Sequence, residues 1–129
     1  MKKLITILVA LSLFTVLTAA SCGGSGGSAG GAGAGVHMGE TTFTQTSVTI
    51  SKGSSLNLID DVPVTHIVSN GTWVNGVAKP AIEPGAPTVS NLQFNAAGQS
   101  MTVGPFNTAG TYQLYCSVHV NMNLTVIVE

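Results

Sequence analysis

The chain has 129 residues, 44% of them hydrophobic and only 7% charged. Arginine is absent and the lysines are Lys2, Lys3, Lys52 and Lys79, so no basic surface can neutralise a run of phosphates and nucleic acid is excluded as a partner. A mean hydropathy of +0.43 argues against a disordered chain, and the length admits one globular domain but not two.

Met1, Lys2 and Lys3 make a short basic start to an uncharged run from Leu4 to Ala20, closed by the small residues Ala19, Ala20 and Ser21. This is the pattern of an export signal, expected over residues 1–21. Cys22 follows in the context Leu17-Thr-Ala-Ala-Ser-Cys22. That context resembles the lipobox of bacterial lipoproteins, with alanine where leucine is more usual three positions before the cysteine. The resemblance implies lipidation of Cys22 and anchoring to the outer face of the cytoplasmic membrane, on the periplasmic or cell-surface side. An incidental small residue, or a partner for Cys116, are the other readings of Cys22. Gly23 to Gly35 holds eight glycines in thirteen positions, the rest serine and alanine. A segment with nothing to bury is a flexible tether, expected over 22–39, with a reach of roughly 20 Å. His37 and Met38 beside it are expected to be inert. Once Lys2 and Lys3 are removed, two lysines face five acids, a net charge of −3.

Residues 40–129 read as a small all-β domain. Short runs rich in threonine, valine and isoleucine recur between Gly, Pro and Asn. Strands are expected at Thr42–Ile50, Ser55–Ile59, Val64–Ser69, Thr88–Phe94, Ser100–Val103, Gly110–Cys116 and Met122–Val128. Turn signals stand at Lys52-Gly53, Asn70-Gly71, Asn75-Gly76, Ala97-Gly98 and Ala109-Gly110. Alternation puts Tyr112, Leu114 and Cys116 on one face, and Met122, Leu124, Val126 and Val128 on one face of the last strand. Seven or eight strands in this length imply a two-sheet Greek-key sandwich. The stretch 72–87, with Pro80 and Pro84 and closed by Pro87, is expected to be a loop, packed down by Trp73. Met101 is expected in the core.

The chemistry concentrates near the C-terminus. Cys116-Ser-Val-His119-Val-Asn-Met122 offers a thiolate, an imidazole and a thioether within seven positions. A further imidazole, His66, lies fifty residues upstream. Two imidazoles and a thiolate form a trigonal set, and a weak axial thioether completes the ligation of an electron-transfer copper site. Zinc is a poorer match, because its structural sites take four firm donors and methionine is not one. The acids Glu40, Asp60, Asp61, Glu83 and Glu129 flank no nucleophile, so no hydrolytic apparatus is expected and the chain does not read as an enzyme.

The spacing C-x2-H-x2-M after the strand Gly110-Thr-Tyr-Gln-Leu-Tyr, with an upstream histidine in an exported β domain, resembles the cupredoxins, the blue copper proteins that include plastocyanin, amicyanin and auracyanin. The resemblance spans about 40–129, although only the C-terminal hairpin carries a specific motif. It implies one type 1 copper ion on His66, Cys116, His119 and Met122. It implies a monomeric, membrane-tethered electron carrier serving redox proteins of an electron-transport chain. The compact loop is like amicyanin's, the tether more like auracyanin's, and the acidic patch of plant plastocyanin is missing. Ser117 and the backbone amide of Ile67 are expected to tune the thiolate by hydrogen bonds. Val118 and Val120 are expected to form an apolar docking collar around His119, with Tyr115 a surface residue available to partners. A copper chaperone or store outside the cytoplasm, and a metal-free adhesion sandwich, are the readings from other classes.

Overall fold

The computed structural model describes residues 33–129, and among these there are nine strands and no helix. They are β1 (Ala34–Met38), β2 (Ser47–Ile50), β3 (Leu56–Asp60), β4 (His66–Val74), β5 (Val77–Pro80), β6 (Leu92–Phe94), β7 (Ser100–Val103), β8 (Gly110–Cys116) and β9 (Asn123–Val128). The expected export signal and Cys22 lie outside the described residues.

Two mixed sheets form the sandwich. One has the order β1-β3-β7; the other runs β2-β9-β8-β4-β5, with β6 also on β4. β1 pairs parallel with β3, and β2 pairs parallel with β9, whereas β8 pairs antiparallel with both β9 and β4. The expected alternation holds. Tyr112, Leu114 and Cys116 face inward from β8, and Leu124, Val126 and Val128 from β9, against Val36, Met38, Leu56 and Leu58 of the opposing sheet. Each such side chain contributes about 1.5–3 kcal/mol when fully buried. The Tyr112 hydroxyl donates to the Thr108 carbonyl at 2.7 Å, four residues upstream, which fixes the entry to β8.

Three sequence expectations are corrected. The domain begins before residue 40, because Ala34–Met38 is a strand with Val36 and Met38 fully buried. Glycine-rich composition hid it: only two of its five side chains carry the apolar signal, and parallel pairing to β3 supplies the rest. The stretch 72–87 is not all loop, since β5 pairs with the far half of β4 around the Asn75-Gly76 turn, whose φ values are 49° and 75°. Asn70-Gly71 is not a turn. β4 runs on through it, changing partner from β8 to β5 there, and Gly71 sits at φ 130° with no room for a Cβ between Lys79, Pro80 and Tyr115. Asn70, buried beside it, holds the segment before β6 by bonding the Pro87 carbonyl and the Val89 amide.

Candidate metal centre

His66 opens β4 and Cys116 ends β8. Antiparallel register sets Cys116 opposite Val68, two residues along from His66 on the same face. Residues on such a diagonal are neighbours within side-chain reach, and both side chains are fully buried. His119 arrives from the loop joining β8 to β9. That loop is closed at its base by the Cys116 amide donating to the Met122 carbonyl at 3.0 Å, and within by the Met122 amide donating to His119 at 3.2 Å. Asn121 supplies the left-handed residue the turn requires, at φ 63°. Ser117 ties the loop to β4, its amide donating to the Ile67 carbonyl at 2.8 Å and its hydroxyl to the same oxygen at 3.3 Å.

The donors converge. Cys116 Sγ lies 3.8 Å from His66 Nδ1 and 3.6 Å from His119 Nδ1, and the three residues offer ligand atoms all within 4.8 Å of one another. Nitrogen and sulfur bound to one divalent ion at about 2.0 and 2.3 Å, 120° apart, stand about 3.7 Å from each other. The residues therefore fit a trigonal metal site. The two imidazole rings are 4.9 Å apart, tilted by 54°. Met122 is buried at the end of the loop, where β9 begins. Burial pushes the His66 imidazole below its ordinary pKa; Asp60 opposes this, the His119 ring adds to it, and the Gly39 backbone facing the ring opposes it.

Val118 and Val120 stand 46% and 61% exposed on either side of His119, which is itself half-buried. One expectation changes, and one residue gains a contact. Ile67 meets the loop through its carbonyl, as acceptor for the Ser117 amide and hydroxyl. Tyr115 is only 5% exposed, because Trp73 packs on it edge-to-face with ring centroids 6.1 Å apart; it is not a docking residue.

The sequence reading missed what grips the base of the loop. Trp73 Nε1 donates to the Cys116 carbonyl at 2.8 Å. Asn123 brackets the Trp73 backbone, accepting from its amide at 2.7 Å and donating to its carbonyl at 3.1 Å. A lone tryptophan in a proline-rich stretch gave no hint of this. Asp60 was also missed, although Leu56, Leu58 and Asp60 alternate onto one inward face and so announce a buried acid. His37 and Met38 separate from one another: Met38 joins the core, and His37 Nδ1 meets Asp61 at 2.7 Å on the surface.

No curated protein matches the chain, but the model of the family described as copper binding proteins of the plastocyanin/azurin family matches residues 32–129. Among solved structures, amicyanin from Paracoccus versutus is 22% identical, covering 75% of this chain and 81% of its own, with a TM-score of 0.57. A reduced Cu(I) amicyanin variant at pH 4 is 20% identical over 78% of this chain and 86% of that one, also at 0.57. The purple cupredoxin of Nitrosopumilus maritimus is 20% identical over 74% of this chain and 99% of its own, at 0.55. At these identities the structures establish a shared fold, and with the family match over 32–129 the chain belongs to the plastocyanin/azurin family of copper-binding proteins.

Proposed function

We propose that the chain is a single-electron carrier that holds one type 1 copper ion on His66, Cys116, His119 and Met122. The observation that carries this is the convergence of the two Nδ1 atoms and Sγ at 3.6–3.8 Å on a closed scaffold. Copper, when bound, supplies one-electron exchange between Cu(II) and Cu(I), with soft sulfur suiting the reduced ion and imidazole the oxidised one. The protein's part is to hold the donors still. His66 and Cys116 are fully buried on paired strands, and the loop bearing His119 is closed by its own backbone hydrogen bonds. A site that does not rearrange between oxidation states lowers the cost of transfer.

His119 is the donor that reaches the surface, and Val118 and Val120 give it an uncharged rim. With a mature net charge of −3 and no acidic cluster at this rim, docking rests on apolar contact and is brief. Burial of Cys116 and His66 disfavours a chaperone or store, which needs accessible sulfur for metal exchange. Lipidation of Cys22 fixes the carrier to the outer face of the cytoplasmic membrane in this reading, supported by the sequence context alone.

Copper reconstitution tests the proposal. An intense visible band with narrow parallel hyperfine splitting is expected, lost in Cys116→Ser; a colourless adduct rejects it. Met122→Gln is expected to keep copper at a lower potential, and an unchanged potential removes Met122 from the donor set.

A further inference from the structure

On the buried side of the centre the end of β3 brings an acid against a ligand. Asp60 is fully buried, as is His66, and its Oδ1 lies 3.8 Å from His66 Nε2. Oδ1 also accepts the Val62 amide at 3.2 Å. Among the described residues Asp60 Oδ2 and His66 Nε2 have no hydrogen-bond partner. Leaving a buried polar atom without a partner costs about 1–3 kcal/mol, so two such atoms side by side call for an account. The tautomer supplies one. Nδ1 of His66 is the nitrogen that faces Cys116, and a neutral imidazole with a free Nδ1 lone pair carries its proton on Nε2, the atom that faces Asp60.

We infer that Asp60 is a positioning residue of the metal centre: its carboxylate keeps the His66 proton on Nε2, holds the ring with Nδ1 toward Cys116, and sets a fixed negative charge that favours the oxidised ion. Carboxylate–imidazole–metal relays of this kind orient the ring and raise its basicity. The effect on the oxidised ion rests on the copper reading above; the proton's position does not. A purely structural Asp60 would only cap the turn through Val62, and the Gly39 backbone, which also faces the ring, would then be the partner of His66.

Asp60→Asn separates these, since asparagine retains the shape and the oxygen that receives the Val62 amide but not the charge. In the copper-loaded full chain, the variant is expected to shift the balance toward Cu(I) by about ten-fold, a potential higher by about 59 mV for a one-electron couple. Asp61→Asn removes the same charge from the exposed neighbour that meets His37, and is expected to shift it less than two-fold, under about 18 mV. In the copper-free wild type, long-range proton–nitrogen NMR is expected to place the His66 proton on Nε2. A proton on Nδ1, or an Asp60→Asn balance within two-fold of wild type, overturns the inference. Should the chain bind no copper, the carrier reading falls while the same NMR on Asp60→Asn still decides the Asp60 contact, since His66 ring signals that move support it and ring signals that stay put overturn it. Should the chain bind copper with potential and ring signals unmoved, only Asp60's role falls.

Discussion

Trp73→Phe isolates the one side-chain hydrogen bond that, among the described residues, grips the backbone of a ligand. The indole Nε1 donates at 2.8 Å to the carbonyl of Cys116, a residue with no solvent exposure. Phenylalanine fills most of the same space but donates nothing, which leaves the carbonyl unpaired at a cost of about 1–3 kcal/mol. The edge-to-face contact with Tyr115 survives in part, so its share of about 0.5–1.5 kcal/mol is only partly lost. The expected destabilisation is therefore about 2 kcal/mol. Urea unfolding of the copper-free variant measures it, and the midpoint should fall with an unchanged m-value, because the surface exposed on unfolding hardly differs. The Asn123 clamp acts on the Trp73 main chain and not on the indole, so it remains in the variant and keeps β4 in place. A loosened Cys116 should also broaden the spread of copper–sulfur geometries, widening the visible band. A change below about 0.5 kcal/mol, within the range of ordinary surface substitutions, would refute the view that Trp73 holds the loop base.

Gly71→Ala should destabilise by at least about 2 kcal/mol, since φ 130° strains any L side chain and a Cβ would stand 2.5 Å from the Lys79 carbonyl oxygen; calorimetry of the copper-free chain checks it. Val120→Asp should slow electron exchange with an anionic redox partner several-fold while leaving the visible spectrum unchanged, and wild-type rates should vary little with ionic strength, because the loop from Ser117 to Met122 has no acidic or basic side chain but His119. Copper removal should leave the β-sheet circular dichroism intact, as most of the core lies outside the donor set, of which it shares only Cys116 and Met122. Copper loading should raise the melting temperature with concentration, since it binds the folded donor set alone.

The donor set was legible because its chemistry is local in sequence: Cys116, His119 and Met122 share one loop, and only His66 had to be brought in from elsewhere. β8 and β9 were legible because each has one wet and one dry face, so period-two alternation shows. Where one side of a strand has little side chain, as in Ala34-Gly-Val-His-Met38, the pattern is too thin to read, and pairing decides. Asn70-Gly71 misled for the opposite reason. A pair that favours turns in isolation was overridden by two partner strands, β8 and β5, which claim successive halves of β4. Trp73 and Asn123 were illegible because their side chains meet backbone atoms 43 and 50 residues away, and backbone atoms leave no mark in a sequence.

The centre is built asymmetrically, and the asymmetry follows from the order of the elements. His66 and Cys116 come from the middle of a sheet, where register fixes side chains on both sides and water is excluded. His119 comes from a loop, where exposure is unavoidable. A site made only of strand residues would be rigid but sealed, and one made only of loop residues would be open but mobile. Joining the two makes one imidazole a fixed anchor, backed by Asp60, and the other a contact to the outside, rimmed by Val118 and Val120. On this account substitutions behind His66 should change the potential without changing partner rates at equal driving force. Substitutions around His119 should do the reverse, and that division would not arise if both imidazoles were held alike.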